Sequence, residues 1–329
     1  MKRSVLGVVL VATALLAVFL GTRFGSVHLT TTEFVSALFG HGTQGTREVL
    51  FEFRLPRVFL GLLVGGGLGL AGSVFQALLR NPLAEPFILG ISGGAAAGAV
   101  LVISLGFVAA GSAALPAAAF VGALLAILLV FGAASAADRR MDVRVLLLAG
   151  VVVGSFFTAV IAFILSLSEA RAVRSAIVWM MGSLSGADWG SVGVVAAYTL
   201  PAALVLLGLA RALNLMAIGE ETAAYLGADV ERVKRTAYVV ASLMTAAGVA
   251  VAGVIGFVGL IVPHGIRLLI GSDQRILLPF SFLAGAAFLC LADLLARVAL
   301  APIEIPIGVI TAFLGVPLFL VLLRRSMIE

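Results

Sequence analysis

The sequence predicts an all-α polytopic membrane protein of about ten transmembrane helices with cytoplasmic N- and C-termini, and three observations carry that prediction. Of the 329 residues, 62% are hydrophobic and 11% are charged, with a mean hydropathy of +1.22. Soluble domains carry about 25% charged residues, so a water-soluble enzyme, a disordered chain and a disulfide scaffold are all excluded. The apolar residues also fall into runs of membrane-crossing length, and Lys and Arg divide unequally between the two sides of the resulting topology. Residues 1–329 therefore read as a single membrane domain.

The first run, 4–21, follows Lys2-Arg3 and ends Phe19-Leu20-Gly21-Thr22-Arg23. It lacks a small-x-small cleavage site and reads as a membrane helix, not a secretory signal. The next runs are 57–79, 88–107, 114–136, 145–167 and 190–210, followed by 236–270, 276–296 and 306–323. The run 236–270 extends about 52 Å as a helix, too long for one crossing of about 30 Å and too short for two with a loop. Two shortened helices broken near Gly253 to Gly259 fit it best. With the N-terminus inside, Arg23, Arg47, Arg54, Arg57, Arg171, Arg174 and Arg297 lie outside, which leaves 14 of the 21 basic residues on the cytoplasmic side. This is the positive-inside bias.

Small residues recur at helical spacing, as in Gly61-Leu62-Leu63-Val64-Gly65, within a total of 38 glycines. Such spacing lets helix backbones approach closely in lipid. At an offset of 181, Gly67, Ala71, Gly72, Leu79, Pro82 and Gly90 fall on Gly248, Ala252, Gly253, Leu260, Pro263 and Gly271. Inverted repeats of this kind occur in transporters, and chance matching between two Gly/Ala-rich spans is the alternative.

The chemistry-bearing residues are few. The net charge of +5 is spread over loops, not gathered into a stripe, so nucleic acid is not a partner. Cys290 stands alone, and His28, His41 and His264 have no metal-site spacing, so no metal site is expected. No phosphate-binding loop is present, and no span carries a lone ionisable residue at its midpoint. Asp293 and Arg297 lie one turn apart at a span end, with Glu304 in the next turn. A gradient-driven carrier keeps a carboxylate deep in the bilayer, so that class is disfavoured.

Two polar segments point to protein partners. Residues 213–232 form the longest cytoplasmic polar segment and read as containing a short helix from Gly219, with Glu220 and Glu221 in its first turn and Gly227 suited to its C-terminal cap. Ala223, Ala224 and Leu226 give it a small apolar face, a candidate docking knob; an ordinary structured loop is the alternative. On the other side, Arg54 and Arg57 flank Pro56 on one helix face, against the positive-inside bias. They read either as snorkelling interfacial residues or as ligands for a partner's carboxylates.

Arg54-Leu55-Pro56-Arg57, Gly69-Leu70-Ala71-Gly72 with Gln76, Asn81-Pro82-Leu83-Ala84-Glu85-Pro86, Leu89-Gly90-Ile91-Ser92-Gly93-Gly94-Ala95, Trp179-Met180-Met181-Gly182, Gly219-Glu220-Glu221, Gly256-Phe257-Val258-Gly259-Leu260-Ile261-Val262-Pro263-His264 and Glu304-Ile305-Pro306-Ile307-Gly308 together resemble the FecCD-type permeases of bacterial ABC importers. The resemblance covers nearly the whole chain in order. It implies uptake of an iron chelate (ferric siderophore or haem) or a corrinoid across the bacterial cytoplasmic membrane. The permease would be a dimer, formed with a second copy or a paralogue. Its other partners would be two cytoplasmic ATP-binding subunits, which hold the ATP and Mg, and an extracytoplasmic substrate-binding protein. The chain itself would bind no cofactor and be no enzyme. The resemblance assigns binding-protein docking to Arg54, Arg57 and Arg297. ATPase coupling goes to Gly219, Glu220, Glu221, Ala224, Leu226 and Gly227, and the inner gate to Asn81, Pro82, Leu83, Met141 and Asp142. The span 145–167 would line the pathway. Met141-Asp142 departs from the small uncharged polar residues expected there. A gradient-driven secondary transporter is the alternative function.

Overall fold

The computed structural model describes residues 2–107, 113–137 and 142–326, and among them every regular element is helical. Helix α1 (Lys2–Arg23) is followed by two short helices, α2 (Thr31–Leu38) and α3 (Gln44–Glu48). A π-helical turn, Val49–Arg54, then leads into α4 (Leu55–Leu78). A loop with a 3-10 turn at Pro86–Leu89 precedes α5 (Ile91–Ser104), α6 (Ala114–Ala137), α7 (Val143–Ser166), α8 (Ala170–Met180) and α9 (Trp189–Gly208). Then come α10 (Ala210–Ile218), α11 (Glu220–Tyr225), α12 (Val230–Ala252), α13 (Val258–Ile270), α14 (Gln274–Val298) and α15 (Ile307–Ser326).

Among the described residues seven helices are long and apolar enough to cross a membrane: α1, α4 with the short helix and turn before it, α6, α7, α9, α12 and α14. Three shorter apolar helices, α5, α13 and the stretch Ile307–Val321 of α15, complete the apolar set. The run 236–270 divides as its length requires. Helix α12 ends at Ala252, Gly253 takes φ 70°, and Phe257 opens α13 at φ 69°. The start of α12 lies upstream of the apolar run because the Asp229 side chain accepts from Arg232 N at 3.1 Å and caps the helix at the polar residues. The offset of 181 joins unlike structure: Gly72 lies within α4 whereas Gly253 caps α12, and Pro82 is in a loop whereas Pro263 is inside α13.

Helix α4 is the centre of the bundle and packs against α14, α12, α13 and α9. Its glycines explain why. Gly61, Gly65 and Gly69 recur every four residues and face α14. A Cβ at Gly65 would lie 2.6 Å from Leu289 Cβ and overlap the Gly285 carbonyl, while one at Gly69 would overlap the Ser281 carbonyl. Gly285 meets the Gly65 carbonyl in return. One turn on, a Cβ at Gly72 would strike the Gly259 backbone of α13, 2.6 Å from Gly259 Cα. Helices α5 and α6 use the same device, with Gly94, Gly98 and Gly122 each seated on the other helix's backbone. Lipid supplies no hydrophobic drive between helices, so this close approach and the dispersion it allows hold the bundle together. Cys290 sits on the same seam, buried, with its Sγ 3.4 Å from Val58 O.

Gly65→Ala is expected to lose about 1–3 kcal/mol by overpacking. Gly132→Ala and Gly193→Ala, where no atom lies within 4 Å of the new Cβ, should be neutral or gain about 0.5–1 kcal/mol. Melting temperatures of the purified variants in one detergent check the contrast.

Candidate functional site

The two ends of α4 carry the two sets of residues singled out in the sequence. At its N-terminal end, Arg54, Arg57 and Arg297 come together, but they turn inward. Arg57 Nε lies 2.9 and 3.2 Å from the Asp293 carboxylate oxygens, its Nη1 3.1 Å from Glu304 Oε1 and its Nη2 3.0 Å from Glu304 Oε2. Arg297 Nε pairs with Asp293 Oδ2 at 3.0 Å. Asp293 thus serves two arginines, and its side chain is 3% exposed.

The remaining guanidinium donors close the C-terminus of α1, whose last carbonyls have no helical partner. Arg54 Nη1 donates to Thr22 O at 2.9 Å and Arg23 O at 2.8 Å, and its Nη2 donates to Val27 O. Arg297 donates to Gly21 O at 3.2 Å and Phe24 O at 3.4 Å. Buried cations are favoured there by the negative end of the helix dipole. Arg54 and Arg297 are buried, and the water-facing edge of the cluster is Glu304, whose side chain is 31% exposed. Three cations, Arg54, Arg57 and Arg297, stand with two carboxylates, so the cluster keeps a positive excess.

At the other end, the residues expected at a gate and at a docking knob lie close together. After α4, Arg80 takes φ 48° and Asn81 forms a tight turn, its Oδ1 accepting from Leu83 N at 2.9 Å. Pro82 and Leu83 are exposed at the tip of this turn. Its far side is tied down by Gln76, which donates to Leu260 O at 3.0 Å and Ala84 O at 3.3 Å and accepts from Arg267 at 2.9 Å. Glu85 Oε1 accepts from Phe257 N at 2.7 Å and so anchors the turn to the break between α12 and α13. This burial of Glu85 is not visible in the sequence, where it reads as a loop residue.

Helix α11 begins at Glu220, one residue after Gly219 at φ 153°. It ends on Gly227 at φ 85°, where Ala228 N reaches Ala223 O at 3.0 Å and Gly227 N reaches Ala224 O at 2.9 Å, a Schellman cap. Ala223 packs inward, while Glu221, Ala224, Leu226 and Tyr225 face out, Tyr225 being 92% exposed. Ile218, just before the helix, is 71% exposed. Tyr225 and Ile218 enlarge the apolar knob beyond the residues the spacing singles out. The segment 213–232 is anchored upstream by buried Leu213 and Met216 and by Asn214, which accepts from Gln274 N at 2.8 Å and donates to Asp273 at 2.7 Å. Hydrogen bonds from Arg275, and then from Asn214, hold the Asp273 carboxyl well below the ordinary carboxylate range.

Asp142 caps α7, its Oδ1 accepting from Arg144 N at 2.7 Å. It lines one cavity of about 810 Å³ with Arg80, Glu220, Glu221 and Lys234. Met141 lies outside the described residues. Helix α7 presents an exposed apolar stripe that includes Leu148, Val152, Phe156 and Phe163. Helix α8 is an amphipathic element that no apolar run announces, and it lines a second cavity, of about 1070 Å³, with Arg171, Ser175 and Trp179. Among the described residues buried His264 has no partner at Nδ1, and no group of His, Cys, Asp and Glu is placed to hold a metal.

Comparison with known proteins agrees with this architecture. Residues 12–325 match the model of the FecCD transport family. The chain is 45% identical over 284 residues to the cobalamin import system permease of Halobacterium salinarum, covering 86% of this chain and 75% of that protein. It is 42% identical over 279 residues to the vitamin B12 import system permease of Klebsiella pneumoniae, covering 84% and 82%. It is 40% identical over 282 residues to the hemin transport system permease of Yersinia pestis, covering 85% and 84%. Among solved structures, an inward-facing metal-chelate type ABC transporter superposes with a TM-score of 0.85 at 31% identity over 98% of both chains.

Removing the shared carboxylate with Asp293→Asn leaves two buried guanidinium groups short of their counter-charge. The expected cost is about 3–5 kcal/mol, the range for breaking one side of a buried pair. Glu304→Gln, at the wetter edge, should cost much less, and thermal unfolding in detergent ranks the two.

Proposed function

The chain belongs to the FecCD transport family and is a permease of the ABC-importer type, and we propose that it passes a metal-centred chelate, a corrinoid or an iron chelate such as haem or a ferric siderophore, across the cytoplasmic membrane. Relatives named for cobalamin and for hemin support this class of cargo: both ligands are bulky, rigid macrocycles around a metal. In this reading α5, α13 and α15 join the seven long helices to make ten spans, and both termini and α11 face the cytoplasm. Two ATP-binding subunits hold ATP and Mg, a second permease copy or paralogue completes the pathway, and an extracytoplasmic binding protein brings the ligand.

The observation that carries the reading is α11. A six-residue helix with Ala223 packed inward and Ile218, Tyr225 and Leu226 exposed is a knob for a protein groove, too short to serve lipid. Closure of the two ATPases would move it and switch the pathway between outward- and inward-facing states. Gly219 and Gly227 set its start and end, and Glu220, Glu221, Ala224 and Leu226 give its faces. Asn81, Pro82 and Leu83 with Asp142 form the inner gate, and the α7 stripe lines the pathway. The binding protein docks over Arg54, Arg57 and Arg297, where the positive excess of the cluster meets its acidic residues and Glu304 is the carboxylate they displace.

A gradient-driven carrier is the second reading, and Glu85 is the residue that favours it, being a half-buried carboxylate with one oxygen on the Phe257 amide. Glu85→Gln preserves that acceptor and removes the titratable group. In proteoliposomes containing the permease with its ATPase, this variant is expected to keep ATP-driven uptake of a corrinoid or haem, and ionophores that collapse ion gradients should leave uptake unchanged. Uptake that needs a gradient and is lost in Glu85→Gln would install the carrier reading instead.

A further inference from the structure

We propose that Glu220 is a positioning residue for transport, tying α11 to the turn at Asn81–Leu83 through Arg80; the inference rests on the importer reading above. The two carboxylate oxygens of Glu220 go to different elements. Oε1 lies 3.6 Å from Arg80 Nη2, and Oε2 pairs with Lys234 Nζ of α12. The Lys234 side chain is 3% exposed, so this cation is held inside the protein and holds Glu220 with it. That pair is less screened than one on the surface, whereas the Arg80–Glu220 contact, with side chains 43% and 34% exposed, is a screened link that can yield as α11 moves. Glu220 therefore bridges α11, α12 and the end of α4.

Arg80 is the residue that gives this bridge a mechanical meaning. It adopts a left-handed backbone at φ 48°, which an arginine takes at a cost. It directly precedes Asn81, whose amide and side chain set the exposed Pro82–Leu83 tip. A pull on its guanidinium acts on the middle of the three residues, 79–81, between α4 and that tip. The opposite side of the turn is pinned by Gln76 and Glu85 to α13. Gly219, at φ 153°, places a joint directly before Glu220, so the bridge acts on the first residue of α11. Displacement of α11 thus reaches the turn through one carboxylate.

The test uses the intact permease–ATPase complex in proteoliposomes and reads corrinoid or haem uptake per ATP hydrolysed. Arg80→Gln is expected to lower that ratio about two- to five-fold, the size a partly exposed ion pair supplies, with ATP hydrolysis and complex assembly retained, and Glu220→Gln to lower it at least as much. The double variant should be no worse than Glu220→Gln alone. Glu231→Gln, whose carboxylate pairs with Arg235 one turn along α12, should match the wild type. An unchanged ratio in Arg80→Gln, additive losses, or a fall in uptake matched by an equal fall in hydrolysis would overturn the inference. Arg80→Gln leaves the Lys234–Glu220 pair intact and decides the matter even where Glu220→Gln does not fold. Wild-type uptake that runs without ATP overturns the importer reading and this inference with it, whereas ATP-driven wild-type uptake with unaffected variants overturns this inference alone.

Discussion

Everything else in the molecule depends on backbone meeting backbone between α4 and α14. Gly65 and Gly69 on one side and Gly285 on the other bring carbonyl groups to distances that a single methyl group would forbid. In water such a contact would be a minor addition to hydrophobic burial, but in lipid it is the main source of helix–helix attraction. Fixing α4 this way fixes both of its ends. Arg54 and Arg57 are delivered to α1 and α14 at one end, and Arg80 and Asn81 to α11 and α12 at the other. The two proposed functional regions thereby lie at opposite ends of one helix.

The arginine cluster shows how charge is tolerated beside a membrane. Desolvating a guanidinium is costly unless its donors are all used. Here most are spent on two carboxylates and on carbonyls at the end of α1, while Arg297 Nε meets Asp293 as an ion pair without a hydrogen bond. Sharing Asp293 between Arg57 and Arg297 leaves the cluster short of negative charge. On the proposed docking role, an acidic partner exchanges its carboxylate for that of Glu304 at the edge of the cluster instead of landing on free arginines.

Local features were the legible ones. Gly227 as the α11 cap, the break at Gly253 to Phe257, and most helix cores follow from residues close in sequence. The glycine spacing also announces a close helix seam, though not its partner. What the sequence conceals depends on long-range meeting. Arg54 is buried by carbonyls about thirty residues upstream, and Arg57 finds Asp293 more than two hundred residues on. Neither is encoded near those positions. Helix α8 is hidden for another reason: it is amphipathic and short, so an apolar-run reading passes over it. Glu85 is hidden because its partner is a backbone amide, freed only by the left-handed turn at Phe257.

The most direct measurement is pulsed electron paramagnetic resonance on the assembled transporter, with labels at exposed Phe59 of α4 and Ser272 just before α14, compared with labels at Phe59 and Tyr225 of α11. Spectra are taken without nucleotide and with ATP trapped. A rigid glycine-packed core predicts one unchanged distance for the first pair and a shifted distance for the second. A shift in the Phe59–Ser272 distance, or a Phe59–Tyr225 distance that stays fixed while ligand is transported, would contradict a rigid α4–α14 seam against which α11 moves.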